Sequence, residues 1–241
     1  MNQSAKPAPR SRLFLWAGAF GVAVAIVGFA KTFFYPLITG TFTAHPLVYI
    51  HGVFLFAWVA FFVAQSLLVQ RKKLRLHKKM GWAGGAIAAG VVLSTLAIAT
   101  FASRRTASGG APVQANGELL VVMIEMTMFS ALIAWALLVR KRPEIHKRLM
   151  LLALIGSLGP AWFRFRHYFP EIGNPLFFYS VLLADSLILI AAVSDLMRNG
   201  RVHWVYPVVG GAMFTIHLFE VFGFEWPAFQ SLANLLAGPI V

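Results

Sequence analysis

The sequence predicts an all-α membrane protein, a polytopic bundle of about seven transmembrane helices in a single domain that covers residues 1–241. Hydrophobic residues make up 59% of the chain and only 12% are charged, about half the charged fraction of a typical soluble domain. The mean hydropathy of +0.74 points the same way. Seven apolar segments also approach or exceed the ~20 residues that a helix needs to cross a ~30 Å hydrocarbon core.

Each apolar segment is expected to form one continuous helix, because lipid offers no hydrogen-bond partner for free backbone groups. The first segment is longer than the apolar core of a signal peptide, which is typically about 7 to 15 residues, so we interpret it as a transmembrane helix. The predicted helices occupy residues 13–35, 46–70, 81–102, 117–139, 147–168, 176–196 and 203–223.

The connections and the tail have their own signals. Residues 103–116 are rich in Ser, Gly, Ala and Thr, which predicts a flexible loop. Pro160 and Pro207 predict kinks in helices five and seven. The tail, residues 224–241, is predicted to form a short interfacial helix with an apolar face made of Trp226, Phe229, Leu232, Leu235 and Leu236.

The positive charge is concentrated between the apolar segments. Most of the 21 Lys and Arg residues lie in residues 6–12, 71–79, 140–148 and 198–201, connections that all fall on one side of the membrane. The positive-inside rule then places the N-terminus inside and the C-terminus outside the inner membrane of a bacterium. The net charge of +13 is therefore interpreted as contact with anionic lipids rather than with nucleic acid.

The chain contains no cysteine. This excludes disulfides, thiolate-bound iron–sulfur clusters, covalently attached haem and cysteine nucleophiles. No motif in the sequence indicates an enzymatic reaction. Any metal or haem must be held by other side chains, such as His, Met, Tyr or carboxylates.

Several ionisable residues fall inside the predicted helices, where each costs roughly 2.5 to 3.5 kcal/mol unless it is paired. They lie at similar depths in the outer half of the membrane, which predicts a polar pocket that opens to the outside. The set inside the helices is His51, Glu125, Arg164, Asp185, His217 and Glu220, and the rim above it contains His45, Arg166 and His167.

Three hypotheses fit this set. In the first, His51 and His217 ligate haem b or a transition metal, with Glu125, Asp185 or Glu220 as further ligands or as partners of the imidazoles. In the second, the same groups relay protons or bind a substrate during transport. In the third, they only join helices by hydrogen bonds. The spacing of the residues does not distinguish between these hypotheses.

Two basic segments resemble each other. Residues 71–80 align without gaps to residues 140–149, and both enter a helix from the inside. A duplicated helical hairpin would give His77 and His146 equivalent positions, whereas similar composition alone would also explain the likeness. These two histidines are candidates for a second, inner metal or cofactor site, with an interfacial role as the alternative.

Residues 76–82 (LHKKMGW) after Gln65, residues 145–150 (IHKRLM) and residues 45–52 (HPLVYIHG) resemble a family of uncharacterised bacterial multi-pass inner-membrane proteins. The resemblance covers about half of the chain and implies a membrane helix bundle with no established activity. A fainter resemblance links the chain to membrane proteins of haem–copper oxidase assembly and to b-type cytochrome bundles. The sequence departs from these in having no pair of mid-helix histidines in helices three to five.

The resulting prediction is a membrane protein that binds haem or a redox metal in its outer half, for electron transfer or for the assembly of a respiratory complex. One alternative is a small-molecule or proton-coupled transporter that uses the same carboxylates and arginines. The other is a non-catalytic scaffold that works with other membrane protein subunits.

Overall fold

A computed structural model describes residues 12–241, so the basic residues Lys6 and Arg10 lie outside the described part. Within that part the chain is helical and contains no strand, which confirms the prediction of an all-α membrane helix bundle. The helices are α1 (Leu13–Ile38), α2 (Pro46–Gln70), α3 (Leu74–Ser108), α4 (Pro112–Leu138), α5 (Pro143–Ser157, continued by Gly159–Phe163), α6 (Leu176–Asn199), α7 (Tyr206–Phe222) and α8 (Pro227–Leu236).

The number of complete spans is smaller than predicted. In residues 12–241, five helices, α1 to α4 and α6, are long and apolar enough to cross a membrane. The pair α7 and α8 adds a sixth only if the two count as one span, and they meet at an angle of 97°. By length and composition, the described residues thus supply five or six of the roughly seven predicted spans, and α5 and α8 are too short to count alone.

Helix α5 accounts for much of this difference. It runs for 15 residues, breaks at Leu158, resumes as Gly159–Phe163 and ends in a 3₁₀ turn, Arg164–His167. Pro160 explains the break, because its ring conflicts with the carbonyl of Gly156 one turn earlier. The proline thus divides the predicted helix at 147–168 into two shorter α-helical parts.

The predicted flexible loop at 103–116 is wrong. Helix α3 is 35 residues long and continues to Ser108, and α4 already begins at Pro112. Ala and Arg in this stretch are good helix formers, so α3 continues beyond its apolar segment. A tight link of three residues remains, in which Gly110 has φ +95°, a conformation that favours glycine.

The core of the bundle surrounds α5. Five of its aliphatic side chains are at most 1% exposed, and they point in several directions around the helix: Leu149, Leu151, Leu152, Leu154 and Ile155. A helix that is apolar all round is enclosed by other helices. Helix α1 lies so close to the second part of α5 that a Cβ on Gly28 would collide with the carbonyl oxygen of Ala161.

The short helix predicted in the tail is present as α8, but only part of its predicted apolar face is buried. Phe229 and Ala233 are buried in a small second core against Leu120 of α4, whereas Leu232, Leu235 and Leu236 are exposed. Asn116 Nδ2 also donates a hydrogen bond to Asn234 Oδ1 over 2.8 Å. Helix α8 is therefore attached to α4.

Candidate functional site

Three helices bring one imidazole and two carboxylates together inside the bundle. His217 of α7 has its Nδ1 atom 2.7 Å from Oδ2 of Asp185 on α6. Its Nε2 atom lies 3.2 Å from Oε1 of Glu125 on α4. His217 and Asp185 are 7% and 5% exposed, so the imidazole is held between two carboxylates away from solvent. We call these three residues the histidine clamp.

The histidine clamp needs a shared proton. A neutral imidazole carries one N–H and can donate to only one carboxylate, because its other nitrogen is an acceptor. A second contact between nitrogen and oxygen then requires either a doubly protonated ring or a protonated carboxyl group. The geometry therefore holds one exchangeable proton that can lie on the ring or on either carboxyl.

A third carboxyl group lies beside the clamp. Glu220 is three residues after His217, so both side chains lie on the same face of α7. Glu220 is 8% exposed, and its Oε1 atom has no hydrogen-bond partner among residues 12–241. The Glu125 carboxyl lies close enough to Glu220 to interact with it electrostatically and to share a side-chain hydrogen bond with it when one of the two is protonated. Glu125 is thus near two ionisable groups of α7.

His217, Glu125 and Glu220 line a cavity of about 1030 Å³. The cavity extends to the link between α3 and α4, which is at the end of the bundle opposite the basic segments 71–79 and 140–148. Its other polar side chains include His51, Glu118, Arg164 and Glu225, and most of the remaining wall is apolar, with side chains such as Phe129, Ile155, Phe163 and Val181.

The helices that carry Asp185 and His217 both begin irregularly. Helix α6 starts with a π-helical segment, Leu176–Leu183, directly before Asp185. Helix α7 starts with another, Tyr206–Gly210, before His217 and Glu220. Such wide turns are rare and occur frequently at functional sites. Here they set the rotation of the site residues around each helix.

The break in α5 places Arg164 on the cavity wall. Pro160 has no N–H, and the carbonyl of Pro160 accepts a hydrogen bond of 2.8 Å from Nη1 of Arg164. The guanidinium carbon also lies 3.9 Å from the centre of the Phe29 ring. The Nε atom of Arg164 is buried without a hydrogen-bond partner in the described part of the chain.

His51 lines the same cavity, with its Nδ1 atom 3.3 Å from the hydroxyl oxygen of Thr95. The proposed metal ligands do not form a metal centre: among residues 12–241, no group of three or more His, Asp or Glu side chains is placed to hold a metal ion. Both ring nitrogens of His217 already face carboxylates. The geometry gives the metal hypothesis no support, and haem ligation stays a prediction.

The other predicted rim residues do not line the cavity. His45 caps α2 by accepting a hydrogen bond from Leu47 N, and its ring stacks on Phe101. Arg166 covers the Phe163 ring. Partial burial lowers the pKa of the exposed His167 imidazole, and the nearby positive charges of Arg166, Arg164 and Lys31 lower it further. His167 therefore adds little positive charge near neutral pH.

His77 and His146 lie at the opposite, basic end of the bundle. Their ring centres are 6.4 Å apart, so the starts of α3 and α5 are neighbours. The Nδ1 atom of His146 is 2.8 Å from the carbonyl oxygen of Ala136 near the end of α4. The two histidines are close to each other but are separate from the cavity.

Sequence reasoning missed a second ionic network at this basic end. Arg148 of α5 is 2% exposed and binds Asp195 of α6 through Nε at 2.8 Å and Nη2 at 2.7 Å. Nη1 of Arg148 also contacts Glu144 at 2.8 Å. The sequence pattern places Arg148 in a basic connection. The signal that could have found the pair is Asp195, a carboxylate within the last two turns of an apolar helix.

No protein family model, curated protein or solved structure matches the chain. Its function therefore has to be inferred from the geometry of the histidine clamp and the cavity.

Proposed function

We propose that the chain is a proton-coupled carrier for small amphiphilic molecules in the inner membrane of a bacterium, with its N-terminus inside. The observation that carries this proposal is the histidine clamp in the wall of a largely apolar cavity. A proton held there can leave or enter when the occupant of the cavity changes the electrostatic field around Glu125 and Glu220.

The size and chemistry of the cavity support this function. A volume of about 1030 Å³ is at the upper end for small-molecule sites. A mostly apolar wall favours the hydrocarbon part of a ligand, and a few convergent polar groups fix its orientation. Ionisable groups inside a membrane bundle commonly mark substrate or proton pathways.

The two ends of the bundle support a carrier rather than an open channel. The cavity reaches the link between α3 and α4 at one end, whereas the buried pair of Arg148 and Asp195 joins α5 to α6 at the basic end. A carrier needs a barrier between its site and one side of the membrane. This buried ion pair, which joins two helices at that end, fits such a barrier.

The proposal is tested with the purified protein in liposomes that contain a pH-sensitive dye. Poorly permeant amphiphiles, such as quaternary amines and amino acids with terminal amino groups, are added outside. We expect at least one compound to cause a change of internal pH that protein-free liposomes do not show. His217→Gln and Asp185→Asn should abolish this change, and Glu171→Gln, which removes an exposed carboxylate elsewhere, should preserve it.

Proton movement that is equal in wild-type protein and in both clamp variants would contradict the proposal. The same holds if a broad panel of such compounds causes no protein-dependent change. Gel filtration and circular dichroism of each variant show whether the bundle is still folded, so a folding defect is distinguished from a loss of coupling.

A second candidate is haem binding for electron transfer or respiratory-complex assembly. It is supported by His51, which lines the cavity with Nδ1 facing Thr95 and leaves Nε2 for a ligand. Arg164 on the same wall would suit a carboxylate of the bound group. A visible spectrum of the purified protein, oxidised and reduced, tests this candidate: a stoichiometric haem band that His51→Ala removes would support it, and colourless protein would contradict it.

A further inference from the structure

We propose that the cavity binds a bipolar amphiphile, a molecule with an anionic group, an apolar body and a cationic group. This inference rests on the proposed carrier function and names the class of its substrate. Such a molecule requires three features, and one cavity supplies all of them. They are a cation that is in no ion pair of the described residues, a carboxyl with one unpartnered oxygen, and a largely apolar wall.

The anionic group of the ligand is assigned to Arg164. This guanidinium lines the cavity and takes part in none of the ion pairs found in residues 12–241. Its buried Nε atom lacks an acceptor. An unsatisfied buried donor destabilises the protein, and more so when it is charged, and a ligand carboxylate would remove that cost through a charge-assisted hydrogen bond.

The cationic group is assigned to Glu220. Its side chain is more than nine-tenths buried, lines the cavity and leaves Oε1 without a donor in the described structure. The carboxyls of Glu118 and Glu225 lie farther along the same wall towards the cavity end and are exposed. An ammonium group that enters past them would reach Glu220 and provide the missing donor.

These two groups do not satisfy each other. No ion pair joins Arg164 to a carboxylate within residues 12–241, although Arg164 and Glu220 line the same cavity. Arg164 belongs to the 3₁₀ turn after α5, whereas Glu220 belongs to α7. Apolar side chains that include Phe163, Ile155 and Val181 also line the wall. A molecule with a single charge would leave one of the two groups unsatisfied.

The inference is tested by equilibrium binding to the full chain in lipid nanodiscs, with protein-free nanodiscs as the background. The probes are three ω-amino acids, 4-aminobutanoate, 6-aminohexanoate and 8-aminooctanoate, each compared with the carboxylic acid and the amine of the same chain length. We expect the best ω-amino acid to bind roughly tenfold or more tightly than either singly charged compound, the effect of about one additional charge-assisted hydrogen bond.

Two variants test which residue binds each charged group of the ligand. Arg164→Gln should remove the advantage of the ω-amino acid over the amine, and Glu220→Gln should remove its advantage over the carboxylic acid. Arg166→Gln removes the next arginine of the same turn, and Glu171→Gln removes an exposed carboxylate; both should bind like the wild type. Arg164→Lys and Glu220→Asp, which keep the charge, should retain part of the preference if the glutamine variants fold poorly.

Equal binding of the singly charged and bipolar probes would overturn the inference, and so would the absence of binding by any probe. The same holds if Arg164→Gln and Glu220→Gln each weaken the binding of all probes by the same factor. Because the assay needs neither transport nor proton movement, its result is independent of the carrier proposal. Bipolar binding without proton movement would contradict the carrier alone, and proton movement driven only by another class of solute would contradict the bipolar ligand alone.

Discussion

The two buried ionic networks differ in how completely their groups are satisfied. At the basic end, Arg148 donates to Asp195 through two nitrogens and to Glu144 through the third. In the cavity, Glu220 and Arg164 each keep a buried polar atom without a partner in residues 12–241. The first network is closed, whereas the second is open to a ligand.

This difference separates a structural from a functional use of charge. A buried pair with its hydrogen bonds complete resists disruption, because removal of one partner leaves an uncompensated charge. Groups that stay unsatisfied reduce stability and persist where a ligand or a proton completes them. Mutations in the first network should therefore change stability most, and mutations in the second should change binding or proton transfer most.

Asp195→Asn should have the largest effect on stability. It removes the charge partner of Arg148, which is 2% exposed, and the expected loss of unfolding free energy is about 3 to 5 kcal/mol. Denaturant titration of the protein in detergent micelles measures this loss. A loss below about 1 kcal/mol would show that the pair contributes little to the bundle.

Arg148→Lys should have the next largest effect. Lysine retains the charge but cannot form the planar two-nitrogen contact with Asp195. We expect a loss of about 1.5 to 3 kcal/mol, the usual contribution of hydrogen bonds to charged groups. The same titration tests it, and Lys147→Arg serves as the control, because it changes the preceding residue of α5, which is partly exposed.

His217→Phe should reduce stability by about 1 to 3 kcal/mol, because Asp185 and Glu125 lose the imidazole between them. It should also abolish proton movement in liposomes. Adding Glu125→Gln and Asp185→Asn to this variant removes the two unpaired carboxylates, so stability should recover while proton movement stays absent. Recovery of both properties would contradict the function assigned to the clamp.

Glu220→Gln should have the smallest effect on stability, less than about 1 kcal/mol, because glutamine keeps the shape of a side chain whose Oε1 atom has no hydrogen-bond partner in the described residues. Its effect on ligand binding should be large by comparison. A variant that loses as much stability as Asp195→Asn would show that Glu220 is a structural group, and the distinction between the two networks would then be wrong.

The sequence predicts the general fold well, because long apolar segments and basic connections follow directly from the physics of the bilayer. It does not predict the details of helix length. Helix α3 extends past its apolar segment to Ser108, since polar residues outside the membrane can stay helical. Helix α5 is interrupted at Leu158 and resumes at Gly159, whereas Pro160 predicts only a kink.

The candidate site was predictable in composition but not in arrangement. Depth within the helices identifies Glu125, Asp185, His217 and Glu220 as costly residues, and the structure brings these four together. Which histidine meets which carboxylate depends on the rotation of each helix, which hydropathy does not encode. Arg148 was overlooked because its neighbours are solvent-facing basic residues, and its burial depends on contact with α6.

The π-helical segment at the start of α6 determines the direction in which Asp185 points. A π turn contains one more residue than the α-helical turn it replaces, so Leu176–Leu183 turns less around the helix axis than an α-helix of the same number of residues. If this segment were a regular α-helix of unchanged length, each extra residue would turn Asp185 by about 100° around the axis relative to the residues before it. During evolution, substitutions that remove the wide turn but keep the chain length would preserve the membrane helix while moving the carboxylate out of the clamp, so the geometry of this segment is as informative about function as the identity of Asp185.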